Sequence, residues 1–198
     1  MIHIRQLQRE GLLLFVIISI FFIASCSSSK KAKDPASVVI PATSPNDVHW
    51  TYQDKAISLE VRADKLLNEY DEMPHTLALC LYQLSDKNLF AELISTVSGQ
   101  EKLLQCNSFD KSIVQSQQKF IQPGQTITFS LNRAEGARYL SVVAGYFKRN
   151  INGVSKIWSI PVNVDKPGIF FWQDTLYTPG KLSAILILGP HHLQKVGK

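Results

Sequence analysis

Downstream of Trp50 the chain consists of short apolar or alternating segments separated by turn signals. In residues 56–62, for example, Ile57, Leu59 and Val61 alternate with polar side chains. Such alternation is typical of a strand that buries one face, whereas a helix would show a period of 3.6 residues. The pattern therefore restricts the folded part of the chain to a mainly β architecture.

The same reasoning predicts seven strands, at residues 56–62, 76–84, 112–121, 126–133, 139–147, 156–164 and 181–188. Residues 87–96 instead have apolar side chains at helical spacing and predict a short helix that ends before Gly99, with a further turn or two over residues 100–104. Strands with one helical insertion indicate an all-β fold, an antiparallel two-sheet β-sandwich. We expect this domain to span residues 49–190, followed by a tail at residues 191–198.

The N-terminus has the features of an export signal. Arg5 and Arg9 precede an apolar stretch, residues 12–24, that is 13 residues long. A permanent membrane-spanning helix needs about 20 residues, so a cleaved signal peptide over residues 1–25 is the better interpretation.

The signal ends in Ile23-Ala24-Ser25-Cys26, which resembles the lipobox of bacterial lipoproteins. The resemblance implies that Cys26 carries the acyl chains, and two or more chains hold a protein firmly on a membrane. Ser27, rather than aspartate, follows the cysteine, which favours the outer membrane. Residues 26–48 are rich in Ser, Lys and Pro and are predicted to form a flexible lipidated linker.

Cys80 and Cys106 remain as an even pair in an oxidising compartment, which predicts a disulfide between them. Two buried reduced thiols are the alternative, and a zinc pair is less favoured because no close Cys-x-x-Cys spacing exists. The net charge of +5 comes from scattered basic residues, so no nucleic-acid partner is expected. No catalytic or cofactor motif is found, and His191-His192 are assigned to the tail.

Three segments carry a resemblance to a known family. They are HTLALCLYQLSDKNLFAEL, LLQCNSFD and IQPGQTITFSLNRAEGARYLSVVAGYF, in that order within residues 75–147. Together with the lipobox they resemble the TssJ (SciN) family, outer-membrane lipoproteins of the type VI secretion system. The resemblance implies a transthyretin-like sandwich that faces the periplasm, lacks enzymatic activity and binds the periplasmic C-terminal region of the inner-membrane protein TssM.

The resemblance also implies that the loop after the first strand contacts the partner. That loop corresponds to residues 64–75, which are long for a hairpin connection. The candidate contact residues are Leu66, Leu67, Asn68, Glu69 and Tyr70. A structural alternative is that Leu66 and Leu67 close the end of the sandwich.

A second class of function stays open from the residues alone. A free-standing lipoprotein of the same fold could bind a small ligand or peptidoglycan. Its site would be lined by the aromatic side chains Trp158, Phe170, Phe171 and Trp172, although such residues more often fill a core.

We expect the substitution Cys26→Ser to abolish membrane attachment, because it removes the acylation site. Radioactive palmitate labelling followed by membrane fractionation measures both properties. A mutant that still incorporates label and still floats with the outer membrane would show that the anchor lies elsewhere.

Overall fold

The computed structural model describes residues 39–148, 152–169 and 172–194 of the 198-residue chain. Of residues 169, 172 and 173 only the backbone is described. The predicted signal peptide, Cys26 and the first part of the linker lie outside the described residues. So do Phe170 and Phe171.

The described elements follow the predicted order with several additions. A short 3-10 helix covers Pro45–Asp47, and the helices are α1 (Asn88–Ile94) and α2 (Val97–Leu103). The strands are β1 (Gln53–Ala63), β2 (Leu77–Leu84), β3 (Ile113–Ile121), β4 (Thr126–Arg133), β5 (Tyr139–Ala144), β6 (Ser155–Ser159), β7 (Val162–Asp165), β8 (Gly168–Ile169), β9 (Trp172–Gln173), β10 (Leu176–Pro179), β11 (Leu182–Leu188) and β12 (Leu193–Gln194).

Two four-stranded sheets form the sandwich, in the orders β12-β11-β1-β4 and β3-β2-β5-β6. The all-β class with a small helical insertion is thus confirmed. One pairing differs from the antiparallel expectation, because β1 and β11 run parallel. The alternation pattern cannot distinguish the two cases, because side chains alternate in the same way in parallel and antiparallel strands.

Strand β2 shows how the sequence positions the layers. Leu77, Leu79 and Leu81 face the core between the sheets, where they meet residues of β1 and β11. Cys80 and Tyr82 face the opposite way and pack in a second cluster with residues of α1 and α2. The strand is therefore buried on both faces, as its nearly continuous apolar sequence predicts.

The helical insertion differs in detail from the prediction. Gly99 does not end a helix but lies within α2, where an added Cβ would overlap the carbonyl oxygen of Leu93. The break comes earlier, at Ser95 and Thr96, and the hydroxyl of Thr96 accepts a hydrogen bond from the N–H of Gly99. Glycine is used here for close packing of the two helices.

The strand predicted at residues 156–164 is in fact two strands. It breaks between β6 and β7 at Ile160 and Pro161, and the two halves pair with different partners, β5 and β10. Proline lacks the N–H that a continued ladder needs. The predicted strand at residues 139–147 likewise ends earlier, at Ala144.

The predicted domain, residues 49–190, is shorter at both ends than the folded part of the chain. Within the predicted linker, Ala42 forms a bridge with Tyr177 and Val48 is buried, so the described part of residues 26–48 packs on the sandwich. At the other boundary β12 pairs with β11 and buries Leu193. The predicted tail therefore begins with a strand.

The strand directions define two ends of the sandwich. The N-terminal end is where β1 begins at Gln53, and the loop end is where β1 finishes at Ala63. At a rise of about 3.3 Å per residue, the 11 residues of β1 separate these ends by about 35 Å. Residues 64–75 lie at the loop end.

A buried arginine fixes the N-terminal end. Arg133 is fully buried, and it donates hydrogen bonds to the carbonyl oxygens of Thr51 and Gly180, at 3.0 to 3.1 Å. Its guanidinium lies 5.7 Å from the ring of Trp50. Desolvation lowers the pKa of Arg133, and the nearby carboxylate of Glu135 opposes that effect. These contacts hold residues 50–52 against β4.

The structure brings Cys80 of β2 next to Cys106, which follows α2, with their Cα atoms 5.3 Å apart. This separation lies within the range of about 4.4 to 6.8 Å that disulfides require. A bond here would hold the end of α2 on the second sheet. The hydroxyl of Tyr82 reinforces the same junction by donating to the carbonyl oxygen of Leu103.

We predict that mass spectrometry of the native protein without reductant finds Cys80 and Cys106 bonded and resistant to alkylation. Replacing both by serine should lower the free energy of unfolding by about 3 kcal/mol, because the unfolded chain loses a cross-link. Alkylation of both cysteines in the native protein would rule the disulfide out.

Candidate partner-binding loop

Residues 64–75 connect β1 and β2, and one residue within this connection packs in the core. Leu67 has 0% of its surface exposed and belongs to the main core cluster. Its N–H donates to the carbonyl oxygen of Asp64 at 3.1 Å, and its own carbonyl accepts from the N–H of His75 at 2.9 Å. Leu67 thus divides a long connection into two short, closed parts.

Asn68 extends this attachment to a second loop. Its side-chain oxygen accepts from the N–H of Phe147 at 2.7 Å, and its amide donates to the carbonyl oxygen of Thr76 at 3.2 Å. The residue is 8% exposed and has a φ of 52°, a left-handed conformation that asparagine tolerates better than most residues. Buried polar groups need such partners, so Asn68 has a structural role.

The tip of the loop is a two-residue hairpin. Tyr70 and Met73 exchange both backbone hydrogen bonds, at 3.0 and 3.1 Å. Between them, Asp71 and Glu72 both have positive φ, 52° and 57°, as in a type I′ turn. Glycine is usual at the second of these positions, so Glu72 holds a strained conformation there.

Large apolar side chains are exposed around this tip. Leu66 and Tyr70 are each 46% exposed, and Met73 is 57% exposed. The ring of Tyr70 packs on that of Phe147, with centroids 3.6 Å apart, and Phe147 is itself 57% exposed. Exposed aromatic and long apolar side chains close together mark interaction surfaces.

The loop also differs in charge from the rest of the chain. Residues 64–75 contain four carboxylates and one lysine, although the whole chain has a net charge of +5. Glu69 approaches the turn after β11, where its N–H donates to the carbonyl oxygen of Pro190 at 3.0 Å and its carboxylate lies 3.4 Å from His191. Asp71 and Glu72 are exposed at the hairpin tip.

The five candidate residues therefore separate into different roles. Leu66 and Tyr70 are presented to solvent, and Glu69 is half-buried. Leu67 cannot present its side chain to a partner because it fills the core, so the structural alternative holds for Leu67 and not for Leu66. Asn68 is buried as well.

Sequence reasoning missed three residues of this surface. Met73 could have been predicted, since it lies in the same loop as the five candidate residues. Phe147 and His191 reach the loop only through the fold, because the second sheet and the last strand bring their segments to the same end. No sequence signal identifies them.

Of the four aromatic residues proposed for a ligand site, Trp158 is the one whose side chain the structure describes; Phe170, Phe171 and the side chain of Trp172 lie outside the described residues. Trp158 packs partly buried against the main core, beside an open groove of about 460 Å3 that also contains Ile185. Across the described ranges no three metal-binding side chains cluster, and no helix there has the length and apolar character needed to span a membrane.

The fold and the loop together define a β-sandwich domain with an exposed loop that is closed by backbone hydrogen bonds. The chain belongs to the T6SS-SciN family, described as "Type VI secretion lipoprotein, VasD, EvfM, TssJ, VC_A0113", whose model matches residues 55–172. This confirms the family resemblance found in the sequence. No protein of curated function matches the chain in sequence.

Solved structures are similar in fold. The Serratia marcescens Lip, a membrane-bound component of the type VI secretion system, is 23% identical with a TM-score of 0.53, covering 72% of this chain and 97% of Lip. The lipoprotein TssJ1 from Pseudomonas aeruginosa is 17% identical with a TM-score of 0.50, covering 72% and 95%. A chain of the structure "T6SS protein TssM C-terminal domain (869-1107) from EAEC" is 14% identical with a TM-score of 0.52, covering 72% and 98%.

The neighbouring leucines of the loop provide a matched test of this assignment. We expect Leu67→Ala to lower the free energy of unfolding by about 2 to 5 kcal/mol, because it leaves a cavity in the core. Leu66→Ala should change it by about 0.5 kcal/mol or less, because the side chain is exposed. Urea unfolding of both variants measures the difference, and equal destabilisation would contradict the assigned orientation.

Proposed function

We propose that this chain is the outer-membrane lipoprotein of a type VI secretion membrane complex, where it anchors and scaffolds the periplasmic region of a TssM-like protein. Acyl chains on Cys26 would hold it on the periplasmic face of the outer membrane. Residues 64–75 would bind the partner. Membership of the secretion lipoprotein family supports the setting, and the solved structure whose description names TssM supports the partner.

The observation that carries the proposal is the rigid presentation of apolar side chains at the loop end. Leu67 and Asn68 attach the loop to the core, so Leu66, Tyr70 and Met73 are displayed without a large entropic cost on binding. Exposed apolar side chains grouped in this way mark interaction sites. A bound partner would remove these apolar side chains from water.

The direction of the chain supports the same conclusion. The described residues begin at the N-terminal end, and the loop lies about 35 Å away at the other end of β1. A domain held by its N-terminus would therefore present residues 64–75 on the side opposite its attachment. That geometry suits a protein that receives a partner extending from the inner membrane.

The test compares two double variants of the full-length lipoprotein, extracted in detergent, for binding to the periplasmic C-terminal region of the TssM-like protein from the same cell. We expect Leu66→Ala/Tyr70→Ala to weaken binding by about thirtyfold or more and to stop secretion. Truncating a hot-spot residue typically costs about 2 kcal/mol or more of binding free energy, which corresponds to this loss of affinity. The control is Val164→Ala/Ile185→Ala, which truncates exposed side chains on β7 and β11 and should bind like wild type.

Melting temperatures of all variants show that the sandwich stays folded. Wild-type affinity in the folded loop variant would remove the loop from the interface. A lipoprotein that binds no TssM-like region at all, but retains a small ligand or peptidoglycan, would favour the second class of function instead.

A further inference from the structure

A groove next to the loop extends the candidate surface. It has a volume of about 390 Å3 and lies between α2 and the segment that follows β5. Its apolar lining comes from Val97, Leu104, Ala144, Phe147 and Val154. This volume is near the lower limit of the range found for ligand pockets, about 300 to 1,000 Å3, and suits one or two side chains.

Phe147 joins the groove to the loop. Phe147 lines the groove, and its ring packs on that of Tyr70 at the hairpin tip. Its backbone N–H is held by Asn68, so the position of this wall depends on the loop. A partner that covers Tyr70 therefore also lies over the opening of the groove.

Tyr146 lines the groove and also belongs to the main core cluster. Tyr146 is 6% exposed, and its buried hydroxyl has no hydrogen-bond partner among the described residues. Burial raises the pKa of this phenol, so it stays neutral.

Charge identifies the chemistry of the occupant. Asp71 and Glu72 project from the hairpin tip, Glu69 lies beside them, and Glu101 adds a carboxylate to the lining of the groove. Carboxylates on the loop and at one position of the groove lining attract cationic partners and repel acidic ones.

We propose that the partner inserts an apolar side chain, flanked by lysine or arginine, into the groove between α2 and Phe147. This rests on the proposed function and names the part of the TssM-like protein that the surface would recognise. Leu66, Tyr70 and Met73 cover the apolar face of the partner, while the carboxylates pair with its basic residues. Binding then requires both the loop and the groove.

Val97 allows a test that separates the groove from the loop. It lines the groove and is 43% exposed, so we expect a charged side chain there to leave the core undisturbed. We expect Val97→Arg in the full-length lipoprotein to weaken binding of the TssM periplasmic region by about tenfold or more, because it opposes the basic flank. Val97→Glu, which also introduces a charged side chain but one of opposite sign, should stay within about threefold of wild type.

Equal affinities for the two Val97 variants, whether both at the wild-type level or both reduced, would overturn the proposal. If these variants bind normally while Leu66→Ala/Tyr70→Ala does not, the groove is excluded and the proposed function stands. If all of them bind normally, both fail. A change in the oligomeric state of Val97→Arg with unchanged partner binding would assign the groove to a second copy of this chain and also overturn the proposal.

A second pair of variants tests the charge at the tip. Asp71→Asn/Glu72→Gly introduces the pair that type I′ turns prefer, so the loop stays folded while two carboxylates disappear. We expect weaker binding and a smaller loss of affinity on raising the salt from about 0.05 to 0.5 M. The control, Asp47→Asn/Asp54→Asn, removes two exposed carboxylates at the N-terminal end, and an equal effect in both would overturn the role of charge.

Discussion

The shape of the candidate surface depends on the burial of Leu67. Between β1 and β2 the chain has to reverse direction through a connection that is long for two strands of a sandwich. Because Leu67 enters the core, the connection forms two turns closed by backbone hydrogen bonds. Without this contact, residues 64–75 would form one open loop, and the exposed side chains would have no fixed arrangement. Ordering such a loop on binding would cost affinity.

The two ends of the sandwich are built for different tasks. At the N-terminal end, Arg133 satisfies buried carbonyl oxygens and holds residues 50–52 in place, which is a purely structural use of a charge. At the loop end the same chain displays apolar and acidic side chains to solvent. The strands between the two ends have a purely structural role. They set the distance and direction between the attachment and the surface.

Much of the fold follows from local sequence pattern, and the remainder depends on long-range pairing. The two faces of β2 and the limits of β4 could be predicted because alternation and apolar content are local properties. The parallel pairing of β1 with β11 could not, since side-chain alternation is the same in both directions. Leu66 and Leu67 show a similar limit in the site. They are adjacent and identical, and only the path of the backbone decides which of them is buried. His191 and Phe147 join the surface for reasons of topology alone.

The candidate surface requires that the loop is folded before any partner binds. Hydrogen exchange of the free lipoprotein measures this directly, because the amides of Leu67, Tyr70, Met73 and His75 all donate to carbonyl oxygens within residues 64–75. If the loop is folded in the free protein, these amides exchange about a hundredfold or more slowly than those of an unstructured peptide. Exchange at the unstructured rate, with protection gained only in the complex, would contradict it.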